Sequence, residues 1–195
     1  MEKKTQKLMI VAAMVTLCLV MFACSTTPKT QSQEEAQRDS IREMTQKALA
    51  DLYKNEPAAK GMVADASGYG VFSDFGFKVM LMGGVHGKGM AVDNTSKQEI
   101  FMKMTELQPG LGVGAEKFRL VLIFENSKAY NKFVTSGWEF GANAMAAAKS
   151  GSEGGGAAGV LSFQEGVKIY QIDDTGAIVG VSITGAKYSK DGELN

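Results

Sequence analysis

The stretch Phe118-Arg119-Leu120-Val121-Leu122-Ile123-Phe124 decides how this chain is read. Phe118, Leu120, Leu122 and Phe124 recur at every second position, which places them together on one face of a β-strand. Working upstream, the same period begins at Gly68. Phe77, Val79 and Leu81 alternate with Lys78, Met80 and Met82. Met90 and Val92 lead into Asp93-Asn94-Thr95-Ser96, after which Ile100, Met102 and Met104 alternate with Glu99, Phe101 and Lys103. Two alternating runs around a polar turn predict a hairpin.

Downstream of Phe124 the period changes. Asn126 or Ser127 is placed to cap a short helix carrying Ala129, Phe133 and Val134, with Gly137 closing it. Val167 to Ile172, the turn Asp173-Asp174-Thr175-Gly176, and Ala177 to Ala186 predict a final hairpin. Phe140 to Lys149 is ambiguous: its alanines favour helix and its neighbours favour strand. The glycine-rich run from Gly151 to Gly159 reads as a loop.

Before the strands, Ser40 to Asn55 predicts a helix. Ile41, Met44, Ala48 and Leu52 recur at helical spacing, with Leu49 and Tyr53 widening the stripe. Asp39 or Ser40 can cap it, and Pro57 ends it. The stripe can dock on the domain's own sheet or lie on a membrane surface.

The first residues carry a different signal. Lys3, Lys4 and Lys7 precede an uncharged run from Leu8 to Ala23, which ends in Met21-Phe22-Ala23-Cys24. A basic start, an apolar run shorter than the roughly 20 residues of a membrane span, and a small residue before cysteine predict an export signal. The ending resembles a bacterial lipobox, with lipidation expected at Cys24. A single membrane-spanning helix and a cleaved signal without lipid are the alternatives. Cys18 follows Leu17 and is the poorer acceptor. Ser25 to Arg38 is polar, contains Pro28, and reads as a flexible tether. The expected organisation is a signal at 1–23, a tether at 24–38 and a globular domain at 39–195.

Composition narrows the function. The formal net charge is zero, and the first 23 residues hold more basic than acidic groups, so the remainder is slightly acidic. No broad positive field attracts nucleic acid. Cys18 and Cys24 are the only cysteines, so the globular part has neither a disulfide framework nor a cysteine metal site. His86 is the only histidine, where a zinc site draws on several ligands and a catalytic triad needs a placed nucleophile. His86 is expected on the surface or in a turn. The segment Gly83-Gly84-Val85-His86-Gly87-Lys88-Gly89 lacks the spacing of a phosphate loop, and Gly110-Leu111-Gly112-Val113-Gly114 lacks that of a dinucleotide fingerprint. Glycines at period two share a strand face and let another backbone or a bound chain approach. No catalytic residue, metal or cofactor is expected.

Five segments occur in a telling order: Ala66-Ser67-Gly68-Tyr69-Gly70-Val71-Phe72, then Gly83 to Gly89, then Leu120 to Phe124, then Gly137-Trp138-Glu139-Phe140-Gly141-Ala142-Asn143-Ala144, then Gly180-Val181-Ser182-Ile183. From Ile41 to Tyr188 the chain resembles the SYLF domain. That resemblance implies an α+β fold, mostly antiparallel sheet, with an N-terminal amphipathic helix and a short helix near 127–135. It also implies a strand at 140–149 and a non-enzymatic, lipid-binding role. Eukaryotic members of the family bind phosphoinositides and some bind actin, whereas bacterial members are often secreted proteins or lipoproteins.

The expected function is that of an envelope lipoprotein whose domain contacts membrane phospholipid. Anionic head groups need basic side chains beside apolar ones. Phe75, Phe77, Lys78 and Lys88 beside the glycine segment, and Lys117 and Arg119 on one strand face, are the candidate contacts. The expected address faces the periplasm, more at the outer membrane than the inner because Ser25, not Asp, follows Cys24. A protein-interaction module that uses the anchor only for location is the alternative.

Overall fold

The computed structural model describes residues 30–139, 160–179 and 186–195, with side chains described outside 74–85, 106–116, 139 and 160–164. Cys24, Phe140 to Lys149 and Gly151 to Gly159 lie outside the described residues. So do the side chains of Phe75, Phe77 and Lys78.

The architecture is α+β. Helix α1 spans Gln31–Asn55 and α2 spans Ala58–Asp65; β1 covers Gly68–Asp93 and β2 Glu99–Phe124; α3 runs Ser127–Ser136. Then come β3 at Trp138–Glu139, β4 at Val160–Gln164, β5 at Val167–Asp173, β6 at Ile178–Val179 and β7 at Ala186–Lys190. Among the described residues these strands form one seven-stranded sheet, and every pairing in it is antiparallel.

Helix α1 starts at Gln31 rather than Ser40. Thr30 and Gln33 form a capping box: the Thr30 N–H donates to Gln33 Oε1 at 2.9 Å and the Gln33 N–H to Thr30 Oγ1 at 3.4 Å. Further along, Arg38 pairs with Glu34 and Glu35 and Arg42 with Asp39, three to four residues apart, which supports a polar helical turn. Residues 31–38, expected in the tether, are therefore helical. Helix α2 was not expected. It follows Pro57, whose φ of −57° is already helical.

The predicted hairpin is far longer than its turn suggested. β1 and β2 each hold 26 residues and pair from Gly68↔Phe124 to Val92↔Glu99, so the runs at 99–104 and 118–124 belong to one strand. This ribbon curls until the two ends of β1 meet. The Asn94 N–H donates to the Ser67 carbonyl at 3.0 Å. A Cβ on Gly89 would stand 2.1 Å from the Val71 carbonyl oxygen, and one on Gly68 would stand 2.6 Å from that of Val92. Glycine is thus required where one arm of the ribbon lies on the other.

Curling separates two cores. Phe118, Leu120, Leu122 and Phe124 are all buried and pack with Phe72, Met102, Met104 and α3, as the period-two reading predicted. Phe133 of α3 sits at the centre of an aromatic group, with ring centroids at 4.9 Å from Phe124, 4.9 Å from Trp138 and 5.4 Å from Tyr188. Val121 and Ile123 point to the other face, against Ala48 and Leu52 of α1 and Ala59 and Val63 of α2. The ends of α3 follow the sequence reading: Asn126 Oδ1 accepts from the Ala129 N–H at 2.9 Å, and Gly137 closes the helix at φ 65°.

Of the expected last hairpin, 180–185 lie outside the described residues; among those described, β5 pairs β6 at Gln171↔Val179 and Ile172↔Ile178. Ala186 starts β7, which pairs with β2 and β3 instead of continuing that hairpin. Strand β4, also not expected, pairs with the edge of β5 opposite β2, the edge that β6 also takes.

Candidate functional site

Helix α1 bridges the two arms of the curled ribbon. Its N-terminal half sets Ile41 against Met90, Val92 and Phe101, whereas its C-terminal half packs Ala48 and Leu52 on Val71, Val121 and Ile123. Polar contacts fasten each half. Arg42 Nε donates to Glu99 Oε2 at 2.9 Å, and Arg119 Nη1 donates to Asp51 Oδ2 at 2.7 Å. Asn55 Nδ2 donates to the Gly176 carbonyl, and Arg38 Nε to that of Leu194.

Beside this helix the arms part, and a groove opens. Past the Gly89–Val71 contact, Ser73 comes from one arm and His86 and Lys88 from the other. With Gln37, Ser40, Ile41 and Met44 of α1 they line a depression of about 380 Å³. Met44 and Ser73 also line a second depression of about 240 Å³ with Lys47, Lys117, Phe118, Arg119 and Asp174. The two depressions thus share Met44 and Ser73. The first also has Ile41 and Lys88 in its lining, and the second Phe118, Lys47, Lys117 and Arg119. Among the described residues, no carboxylate lines the first, while Asp174 lines the second.

Of the candidate contacts, Lys88 and Lys117 line two depressions that share Met44 and Ser73, although 29 positions separate them in sequence. Phe75 is opposite Lys117 in the backbone register, and Lys78 is opposite Gly114. Arg119 shares a strand face with Lys117 as expected, but its role differs. It is buried, its guanidinium is held by Asp51, and Nη2 donates to the Asp173 carbonyl at 2.9 Å. A cation so enclosed fastens α1 to the sheet and is poorly placed to meet a head group. The hydrogen bond from Arg119 holds the Asp51 carboxyl below its ordinary value against the opposing effect of burial, and Lys47 adds to the lowering.

Sequence reasoning missed Gln37, Ser40, Met44, Lys47 and Ser73 as groove residues. Only the helical stripe through Ile41 and Met44 hinted that α1 carries part of the site. His86 is exposed, on a strand opposite Thr105 rather than in a turn. Among the described residues no group of three or more histidine, cysteine, aspartate or glutamate side chains could hold a metal ion, and no helix is long and apolar enough to cross a membrane.

In an antiparallel ribbon curled on itself with a helix laid across it, the two depressions beside that helix are the candidate site. Residues 105–195 match the family model described as Ysc84, Las17-binding protein actin regulator. A curated protein named Beta cell expansion factor A, from Aeromonas veronii, is 32% identical over 167 residues, covering 86% of this chain and 61% of the relative. Over these residues the chain is similar to the SYLF family that its motifs resemble. It spans about three-fifths of the relative's length.

Proposed function

We propose that this SYLF domain is a non-enzymatic module that binds anionic phospholipid, and that it is held at the bacterial envelope by lipid on Cys24. The observation that carries the reading is the pair of adjoining depressions beside α1, whose linings combine Lys88 and Lys117 with the apolar Ile41, Met44 and Phe118. Interfacial binding needs that pairing: apolar surface for the acyl region and cations for the head groups. The family is described as a regulator and the relative as a factor, in keeping with a binding role.

The anchor rests on the N-terminal sequence. Two or three acyl chains on Cys24 would hold the protein durably, since each buried methylene contributes about 0.8 kcal/mol and a single chain holds only marginally. Such an anchor places the domain facing the periplasm, at the outer membrane by the absence of Asp after Cys24. The test separates anchor from domain. Cys24→Ser protein is mixed with vesicles of phosphatidylglycerol and of phosphatidylcholine and floated through a density gradient. The protein is expected to float with the anionic vesicles. Protein left at the bottom of both gradients refutes phospholipid binding by the domain.

A further inference from the structure

The two short helices put opposite charge on opposite faces of the sheet. Helix α2 packs Ala59 and Val63 on the face of β2 that bears Val121 and Ile123. Helix α3 packs Tyr130 and Phe133 on the face that bears Leu120, Leu122 and Phe124. Successive strand residues point to opposite faces, so the two helices lie on opposite sides of this stretch of β2. On the α2 side, Asp65 and Glu125 line a depression of about 430 Å³ with Ala58, Gly61, Met62 and Ala66. Residues 58, 61 and 65 share a helix face, and nothing stands within 4 Å of where a Gly61 Cβ would lie. On the α3 side, Lys128 and Lys132, one turn apart, line a depression of about 370 Å³ with Asn126, Ser127, Ala129 and Glu165. Glu125 already pairs with Lys168 at 2.7 Å, and Glu165 offsets one lysine, so each depression keeps one unit of charge, negative on the α2 side and positive on the α3 side. Among the described residues, Asp65, Lys128 and Lys132 have no ion-pair partner.

Complementary charges on a single face suit a two-fold pair, in which both copies offer the same patch. Complementary charges on opposite faces suit a heterologous contact, in which one side of a copy meets the other side of the next. We propose that this chain associates with itself head to tail, with Lys128 and Lys132 of one copy reaching into the Asp65 depression of the next. A lysine carries its ammonium on a long flexible stem, and the small residues at 58, 61 and 66 leave room for it. This goes beyond the phospholipid-binding reading and does not rest on it. The contacting helices hold eight and ten residues, so the interface is small for a specific one, and a dissociation constant of roughly 10 µM to 1 mM is expected. Because the attraction is between exposed charges, raising the salt from about 0.05 M to 0.5 M shortens the Debye length roughly threefold and is expected to weaken association about tenfold.

The test is sedimentation velocity of the full chain carrying Cys24→Ser, at low salt and over a range from roughly 10 µM to 1 mM. This parent is expected to grow beyond a dimer as its concentration rises. Two variants each disable one side: Gly61→Trp fills the α2 depression, and Lys128→Glu/Lys132→Glu reverses the α3 side. Each alone is expected to stay monomeric. Mixed in equal amounts, they are expected to form a one-to-one pair and nothing larger, because each keeps one working side. Ala58→Trp takes the place of Gly61→Trp if that variant loses its helical circular dichroism. A parent that stays monomeric across the range overturns the proposal. So does a variant that still grows like the parent, or a mixture that forms no pair. Dimers formed by either variant on its own overturn the head-to-tail arrangement in favour of a two-fold one.

Discussion

Substituting Gly89 by Ala tests the curl of the ribbon, on which the groove depends. The added Cβ would lie 2.1 Å from the Val71 carbonyl oxygen, 2.6 Å from Phe72 Cδ1 and 2.8 Å from Phe72 Cα. Ordinary carbon contacts begin near 3.5 Å, so the two arms must part by about 1 Å, a gap that forfeits roughly a quarter to a half of each dispersion contact along the seam. Two of the three obstructions are backbone atoms, which cannot rotate away. Overpacking typically costs about 1–3 kcal/mol, and a backbone obstruction belongs at the upper end, about 3 kcal/mol. For a domain of this size that lowers Tm by roughly 6–12 °C. Urea denaturation followed by circular dichroism measures it. Gly61→Ala is the matched control, since nothing lies within 4 Å of a Cβ there and the position is helical and exposed. It is expected to stabilise by about 0.5–1 kcal/mol. A Gly89→Ala protein within 0.5 kcal/mol of the parent would refute the proximity of the two arms.

Other outcomes follow from named contacts. Arg119→Ala leaves the Asp51 carboxylate without its main partner, and because Asp51 is partly exposed the loss is expected near 2 kcal/mol, below the 3–5 kcal/mol of a fully buried pair; a double-mutant cycle with Asp51→Ala reads the coupling. The Asp51 carboxyl has a lowered folded-state pKa, so its stabilising effect is present above the ordinary aspartate value of 3.8 and is lost as pH falls through the folded value beneath it. Acid titration of stability should therefore be shallower below about pH 4 in Arg119→Ala than in the parent. Asn126→Ala removes the cap of α3 and is expected to cost about 1 kcal/mol by denaturant melt. Mass spectrometry of the native N-terminus should find acylated Cys24; an intact Met1 or an unmodified thiol would remove the anchor from the account.

The sequence made legible whatever repeated at short range. Period two in 118–124 placed four buried side chains on one face, and Asn126 and Gly137 marked the ends of α3 because capping is a local act. What it hid was set at long range. Nothing local says that β1 meets itself, that Ala186 pairs with β2 rather than with β5, or that α1 begins at Thr30 through a capping box in a stretch otherwise read as linker. The glycine at 89 carried the one advance sign of the self-contact, since it was expected to admit a second backbone. The site was legible in part for the same reason. Lys88 and Lys117 stood out as cations beside apolar strands, but Met44 of the helix and Ser73, which line the depressions of both, contribute through tertiary placement. Arg119 looked equivalent to Lys117 at i and i+2, and only the approach of Asp51 from α1 distinguishes a fastening cation from a rim cation.

The central claim is that anionic phospholipid meets this domain at the groove and not through charge in general. Lys128 and Lys132 are exposed on α3, lining a different depression, and give a charge-matched comparison. Flotation with phosphatidylglycerol vesicles should be lost in Lys88→Glu/Lys117→Glu and retained in Lys128→Glu/Lys132→Glu. Equal loss in both double variants, or retained binding in the groove pair, would contradict the account.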